Sequence, residues 1–452
     1  MASQETKATL ARGGQERRWR SPLREIELAV QERAKSLALD MALPGSHQRL
    51  RELLAEEVAS WKSGFVSGLR DVDIADPEGA VEKALRNLTG YGPLEPLLED
   101  PDVWEIMING PDSIFTKRHS RVGGYHSEVF HDDDHVSRVL TKILDESSRS
   151  HRKLDPAEGL QDAQLDSGAR IHIVHSDVGR DGHMLVNIRK FSGVAHRSVS
   201  ELIAMDMLDQ PTARFLVACV RSGLSFVISG APGSGKTTML GCLAAELDPA
   251  LRVVVAEEVF ETDIPLPNVA HMQTRPARAD RKEVDLRRLV SGFLRMAPDV
   301  AIVGEIRDEE ALPLLLTLSS GVQGFTTIHA GSARQALSRL RFICQLAPTG
   351  SELTVSALSA LVSEAVDVVV YCSRQGGTLR VTEVLTVEDL QVAAGTVAFT
   401  TTTVFARGRF GEPLRWTGNL PVRSARALEL AGYDLRSLVM GDNSRAQAGS
   451  LS

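Results

Sequence analysis

SGAPGSGKTTML, residues 229–240, has the spacing of a phosphate-binding loop: Gly230, four residues, then Gly235, Lys236 and Thr237. The run before it, LSFVI at 224–228, reads as a buried strand entering a turn, and Met239 to Leu247 carry the periodicity of a helix. Strand, loop and helix in that order are what the mechanism requires. Glycines 230, 233 and 235 let the backbone turn its N–H groups inward onto phosphates. Lys236 can reach the β and γ oxygens, and Thr237 can offer its hydroxyl to Mg²⁺. The nucleotide cradle is therefore expected over Gly230, Ala231, Pro232, Gly233, Ser234, Gly235, Lys236, Thr237 and Thr238.

Two further acidic strands follow the loop. RVVVAEEVFETDIP (252–265) is an apolar strand ending on Glu257 and Glu258, where a carboxylate could orient a water against a γ-phosphate. PDVAIVGEIRDEEAL (298–312) is a second buried strand ending on Glu305, placed to hold the shell of a Mg²⁺ ion. Acidic residues are common at solvated strand ends, and it is their joint occurrence behind one phosphate loop that argues for catalysis. GFTTIHAGS (324–332) then reads as a third strand ending at His329, at the same sheet edge as the phosphates. On pattern alone His329 is open to two readings, a packed or surface histidine or a sensor of the γ-phosphate.

Composition sets the broad class. At 452 residues, 43% hydrophobic and 24% charged, the chain suits several globular domains, and a net charge of −8 provides no basic field to draw it to nucleic acid. Cys219, Cys242, Cys344 and Cys372 lie far apart without CxxC pairing, so neither a zinc cluster nor a disulfide framework is expected, and a reducing cytoplasm is. The N-terminal MASQETKATLARGGQERRWR lacks the apolar core of a signal peptide or anchor. The longest uncharged stretch, Ala311 to Ala333, is broken by Pro313, the Ser319-Ser320-Gly321 cluster, Gln323, Gly324 and His329, so no direct membrane insertion is expected.

The expected fold class is α/β. Residues 1–20 read as a disordered N-terminus, 21–80 as a helical segment and 81–195 as an N-terminal α/β domain. Residues 196–375 form a P-loop domain with a mostly parallel sheet, 376–437 a β-rich C-terminal appendix and 438–452 a flexible tail.

GYGPLEPLLEDPDVWEIMINGPD, LDSGARIHIV, VNIRKF, the phosphate loop, AEEVFETDIPLPNVAHMQTRP, LRMAPDVAIVGEIRDEEAL and TTIHAGSARQALSRL occur in that order, over roughly residues 80–420. Together they resemble the type II/type IV secretion system ATPases, and most of all the tight-adherence pilus (CpaF-like) branch. The resemblance implies a RecA-like ATPase domain behind a small α/β domain, nucleotide in the cleft between them, Mg²⁺-dependent ATP hydrolysis and a homo-hexameric ring. It assigns Glu257 to the catalytic glutamate of the family's Asp box, Glu305 to the Walker B glutamate and His329 to the His box. Arg170 and Arg189 match arginines that reach phosphates across the ring, although each also suits an ordinary surface ion pair.

The chain departs from the family pattern at four places: Glu258 stands for the Asp of Glu-Asp, Val322 for the first histidine of the His box, Ala297 for an arginine, and HAGS for HANS. The longer Glu258 changes the reach of its carboxylate by a methylene, and Val322 removes one sensing contact. The tetracysteine module of some secretion ATPases is missing. The implied function is an ATP-hydrolysing motor for pilus assembly or protein secretion on the cytoplasmic face of the membrane, working with inner-membrane platform proteins. No nucleic-acid partner is expected. Two competitors are a RecA-like nucleic-acid translocase and a scaffold that binds ATP without turning it over.

Overall fold

The computed structural model describes residues 21–440 apart from 42, 44, 120–122, 148–152, 191–197, 276, 278–281, 348–349, 351, 394–395 and 409–411. The expected disordered N-terminus, 1–20, and the tail beyond residue 440 lie outside the described residues. The chain divides into two compact units, residues 1–192 and 193–452.

The first unit begins with three helices, Pro22–Ser36, Ser46–Val66 and Pro77–Thr89. Apolar residues at helical spacing give each an inward stripe, and Ile26, Val30, Leu53, Leu54, Val58, Trp61, Val81 and Ala84 close into one core. The third helix runs across residue 80, where the helical segment was expected to end. Val81 and Ala84 pack with the helical core, so the packing carries the helix past that boundary. Next comes a six-stranded antiparallel sheet in the order β3-β2-β1-β6-β5-β4. Its strands are β1 (Val103–Gly110), β2 (Ser113–Arg118), β3 (Gly124–Tyr125), β4 (Leu160–Gln164), β5 (Arg170–Val174) and β6 (Leu185–Arg189). Helix Asp133–Glu146 buries Val136, Val139, Leu140 and Ile143 with the sheet's inward residues Ile106, Ile108, Ile171 and Ile188.

The second unit holds a nine-stranded sheet. Its strands are β7 (Phe226–Gly230), β8 (Val253–Glu257), β9 (Val269–Gln273), β10 (Val300–Ile306), β11 (Gln323–Ile328), β12 (Val368–Gln375), β13 (Thr378–Val387), β16 (Thr401–Ala406) and β17 (Arg415–Trp416). A separate hairpin pairs β14 (Gln391–Ala393) with β15 (Thr396–Ala398). The large sheet runs β17-β16-β13-β12-β7-β11-β10-β8-β9, with every pairing from β12 to β9 parallel. These parallel strands are apolar on both faces. Phe226, Ile228, Val253, Val255, Ile302 and Phe325 enter one core, and Val227, Val254, Ala256, Ala301 and Val303 the other, as a sheet covered by helices on both sides demands.

The β-rich appendix expected from residue 376 is not separate. β13, β16 and β17 extend the same sheet antiparallel from β12 through a tight turn, because a hairpin leaves β12's outer edge paired rather than open. The expected tail also starts too early at 438: a helix spans Leu435–Met440 and buries Leu438 and Val439 in the same core as Phe215 and Phe405. Among the described residues no helix is long and apolar enough to cross a membrane.

At the centre of the sheet Phe226 and Phe325 face each other in register on β7 and β11, stacked with centroids 5.2 Å apart. Truncating Phe325 to alanine is expected to cost the second unit about 3–5 kcal/mol. The loss should appear as an earlier denaturant transition of that unit, and a loss below about 1 kcal/mol would contradict this placement of the core.

Candidate functional site

The carboxyl ends of adjacent parallel strands converge on one edge, and the site is assembled there. β7 ends at Gly230 and opens into the loop, whose geometry depends on glycine at particular places. A Cβ on Gly230 would overlap the carbonyl oxygen of Cys372 on β12, and Gly233 and Gly235 have φ of 69° and 87°, the left-handed region that favours glycine. The loop delivers its chain into helix Lys236–Ala244, so its amides meet a helix N-terminus. Gly230, Ser234 and Lys236 are buried, Ala231 and Pro232 are exposed at the crest, and Gly233, Gly235, Thr237 and Thr238 lie between these extremes.

Lys236 is only 7% exposed. Its Nζ donates to the carbonyl of Ala231 at 3.2 Å and stands 3.0 Å from Nδ1 of His329, the first residue after β11. On the far side of that imidazole, Nε2 lies 2.7 Å from Oε1 of Glu305 near the end of β10. The carbonyl of Gly230 is also 3.1 Å from Nδ1, so the ring sits directly against the loop.

The chain of contacts runs on. Arg307 donates to Oε2 of Glu305 at 2.7 Å and to Oε2 of Glu258 at 3.1 Å. The longer side chain at 258 thus ends on the arginine two residues beyond Glu305. Lys236, His329, Glu305, Arg307 and Glu258 form one continuous polar series. Sequence reasoning named four of these five side chains and missed Arg307, which follows Glu305 by two positions and carried no spacing signal of its own.

Glu257, the last residue of β8, is 3% exposed. Its Oε1 accepts from the backbone N–H groups of Glu261 at 3.1 Å and Thr262 at 2.9 Å, and from the Thr262 hydroxyl. Oε2 has no hydrogen-bond partner among the described residues. Gly304 makes the room: a Cβ there would stand 3.0 Å from Cγ of Glu257. Neither Thr262 nor Gly304 was singled out by sequence: Thr262 acts through the local turn after β8, and Gly304 only because β10 lies beside β8.

The two acids of this edge are pushed in opposite directions. Burial raises Glu257 to about 7, its hydrogen bonds only partly opposing the shift. Burial also works to raise Glu305, but the hydrogen bonds from His329 and Arg307 prevail and hold it well below the usual carboxylate range. One carboxyl is thus poised to exchange a proton near neutrality while its neighbour stays charged, the separation of roles that acid–base chemistry uses.

Thr237 and Glu305, the residues expected to hold a metal, are a hydroxyl and a carboxylate, both hard oxygen donors. Among the described residues no three His, Cys, Asp or Glu side chains gather into a cage. A donor set this small fits Mg²⁺, which keeps several waters and takes its remaining ligands from substrate phosphates. Arg170 and Arg189 lie in the first unit, directly opposite each other on β5 and β6, with Glu105 of β1 opposite Arg189 on its other side. The sheet thus brings two like charges side by side, an arrangement costly on its own and suited to an anion.

The titration of Glu257 sets a pH test. Its folded pKa is raised, so the folded state holds the proton more tightly than the unfolded chain, and stability falls as pH rises from about 4.5 to about 7. The melting temperature of the native protein should decline across that window relative to a Glu257→Gln variant, which has no such charge to bury. Parallel pH profiles for the two proteins would refute the shift.

The family described as Type II/IV secretion system protein matches residues 87–406 of this chain. A putative conjugal transfer protein of Mycobacterium tuberculosis is 29% identical over 306 residues, 66% of this chain and 84% of that protein. The type IV secretion system protein PtlH of Bordetella pertussis is 31% identical over 310 residues, 63% of this chain and 89% of that protein. Among solved structures, the VirB11 ATPase of the Brucella suis type IV secretion system, crystallised with sulphate, aligns with 65% of this chain and 94% of its own at 26% identity, with a TM-score of 0.36.

Proposed function

The chain belongs to the type II/IV secretion system protein family, and from that premise we propose that it is an ATP-hydrolysing motor for pilus assembly or protein secretion, of the tight-adherence (CpaF-like) kind. The observation that carries the reading is the series Lys236–His329–Glu305–Arg307–Glu258 at the mouth of the phosphate loop, beside a Glu257 whose pKa stands at about 7. In this reading the amides of Gly230–Thr237 cradle the phosphates. Lys236 leaves its contacts with Ala231 and His329 for the β and γ oxygens. Thr237 and Glu305 hold Mg²⁺, which when bound neutralises charge on the phosphate oxygens. Glu257 accepts a proton from the attacking water as the new P–O bond forms and the bond to the ADP oxygen breaks.

His329 gives hydrolysis a mechanical readout. Because the same ring touches both Lys236 and Glu305, a lysine drawn to phosphate releases Nδ1, and the imidazole's hold on Glu305 changes with it. The working assembly in this proposal is a homo-hexamer on the cytoplasmic face of the inner membrane. Its partners are membrane platform proteins, and Arg170 and Arg189 of one subunit supply positive charge to nucleotide bound by the next.

Phosphate release from the purified chain with Mg²⁺ and ATP, with light scattering for particle size, tests this. Lys236→Ala and Glu257→Gln should each lower turnover at least about hundredfold, Lys236→Ala by losing nucleotide and Glu257→Gln with nucleotide still bound. Retained turnover in Lys236→Ala would overturn the site. Stimulation by DNA would favour a translocase, and tight ATP binding without phosphate release in the native protein would favour a scaffold.

A further inference from the structure

Arg374 lies near the end of β12, outside every motif that marks the nucleotide site by sequence. Its Nε donates to the carbonyl of Gly233 at the top of the phosphate loop, at 3.1 Å. One terminal nitrogen of the same guanidinium donates to the carbonyl of Gly377 at 2.8 Å. Gly376 and Gly377 hold the β12–β13 turn with φ of 57° and 89°, which curls the hairpin tip back toward its own arginine. One planar group therefore ties the loop to the hairpin beside it.

Several arginines of the unit are neutralised by carboxylates, whereas Arg374, like Arg407, meets only carbonyls among the described residues. Arg307 is paired with Glu305 and Glu258, Arg380 with Asp206, and Arg423 with Asp367. Among the described residues the partners of Arg374 are the two carbonyls alone. The surrounding protein desolvates it, and its pKa is lowered by that cause without an opposing carboxylate. The residue remains exposed, so the donors it does not spend on carbonyls stay accessible. A guanidinium has five N–H donors in a rigid fork, and two of them account for both contacts. A loop that turns its amides inward on a polyanion turns carbonyls outward. A cation seated on one of those carbonyls both fixes the loop's shape and adds positive potential where phosphates bind.

We propose that Arg374 is a nucleotide-binding residue acting within its own subunit: it braces the phosphate loop through the carbonyl of Gly233 and supplies charge and N–H donors to the phosphates of ADP or ATP. The inference rests on the reading of the loop as a nucleotide site. It adds a cationic contact from the β12–β13 hairpin to those of Lys236 and the loop amides. It also gives the antiparallel extension of the sheet a part in the site, since the hairpin turn sets where the guanidinium can reach.

Calorimetric titration of the full chain with ADP and Mg²⁺ tests it, on the native protein and on the Arg374→Gln, Arg374→Lys and Lys236→Ala variants, at low and high salt. Arg374→Gln should weaken ADP roughly ten- to hundredfold, the range of one charge-assisted hydrogen bond. Arg374→Lys, which keeps the charge, should recover much of the loss, and the dependence of affinity on salt should be shallower for Gln than for Lys. The nucleotide-free Arg374→Gln and Arg374→Lys variants, which both alter the brace on Gly233, should melt at similar temperatures, so that their difference in affinity reports the charge.

Two results would overturn the proposal. One is native-like ADP affinity in Arg374→Gln while Lys236→Ala loses binding. The other is equal loss of ADP affinity in Gln and Lys, with the same salt dependence, the signature of a brace without a ligand role. If the native chain itself fails to bind ADP, the nucleotide reading falls and this inference falls with it.

Discussion

A single imidazole joins the two halves of the site. His329 sits between the lysine of the phosphate loop and the acid of β10, 3.0 Å from one and 2.7 Å from the other. Lys236 is almost fully buried, so its charge needs partners, and these include a loop carbonyl and the histidine ring. Glu305 in turn meets that ring and is ion-paired with Arg307. Displacing any one member leaves a desolvated charge or a broken donor–acceptor pair, which makes the series a natural place for a ligand's arrival to be felt.

Strand order makes that contact possible. β11 lies between β7 and β10, so the residue that follows it stands between the end of the loop strand and the end of the acidic strand. Parallel pairing brings all these ends to the same edge, and helices on both faces keep them dry on either side. The same edge separates the two acids electrostatically. Glu305 meets an imidazole and a guanidinium and stays charged. Glu257, one strand further along, meets only neutral N–H and O–H donors inside a buried pocket that Gly304 leaves open, and its proton is held to about 7.

The first unit uses an antiparallel sheet for a different purpose. Pairing β5 with β6 places Arg170 and Arg189 opposite each other, and β1 sets Glu105 beside the second. Cross-strand neighbours of like charge are unfavourable unless something negative shares the face. The helical segment is bound to this domain by polar contacts: Glu27 accepts from Asn87 at 2.7 Å and meets His131 at 2.9 Å, and Arg86 donates to Glu128 at 2.8 Å. Those contacts explain why the helix Pro77–Thr89 belongs to both parts and why composition alone misplaced a boundary there.

What the sequence determined by itself was the local chemistry. Gly230, Gly233, Gly235, Lys236 and Thr237 specify a phosphate loop because each position needs that residue type for a backbone or donor reason that holds in any context. The apolar runs before Glu257, Glu305 and His329 specify strands because a parallel sheet buried on both faces tolerates little else. Only the tertiary structure decided what lies next to what. Arg307 bridging two acids, Gly304 leaving room for Glu257, Arg374 reaching Gly233 across 141 positions, and the continuation of the sheet through β13, β16 and β17 are all contacts between segments distant in the chain or set by strand register. Spacing along a sequence reports periodicity and local donors. It does not report which strand edge a neighbour will occupy, because that depends on closing many long loops at once and on the free energy of the whole sheet.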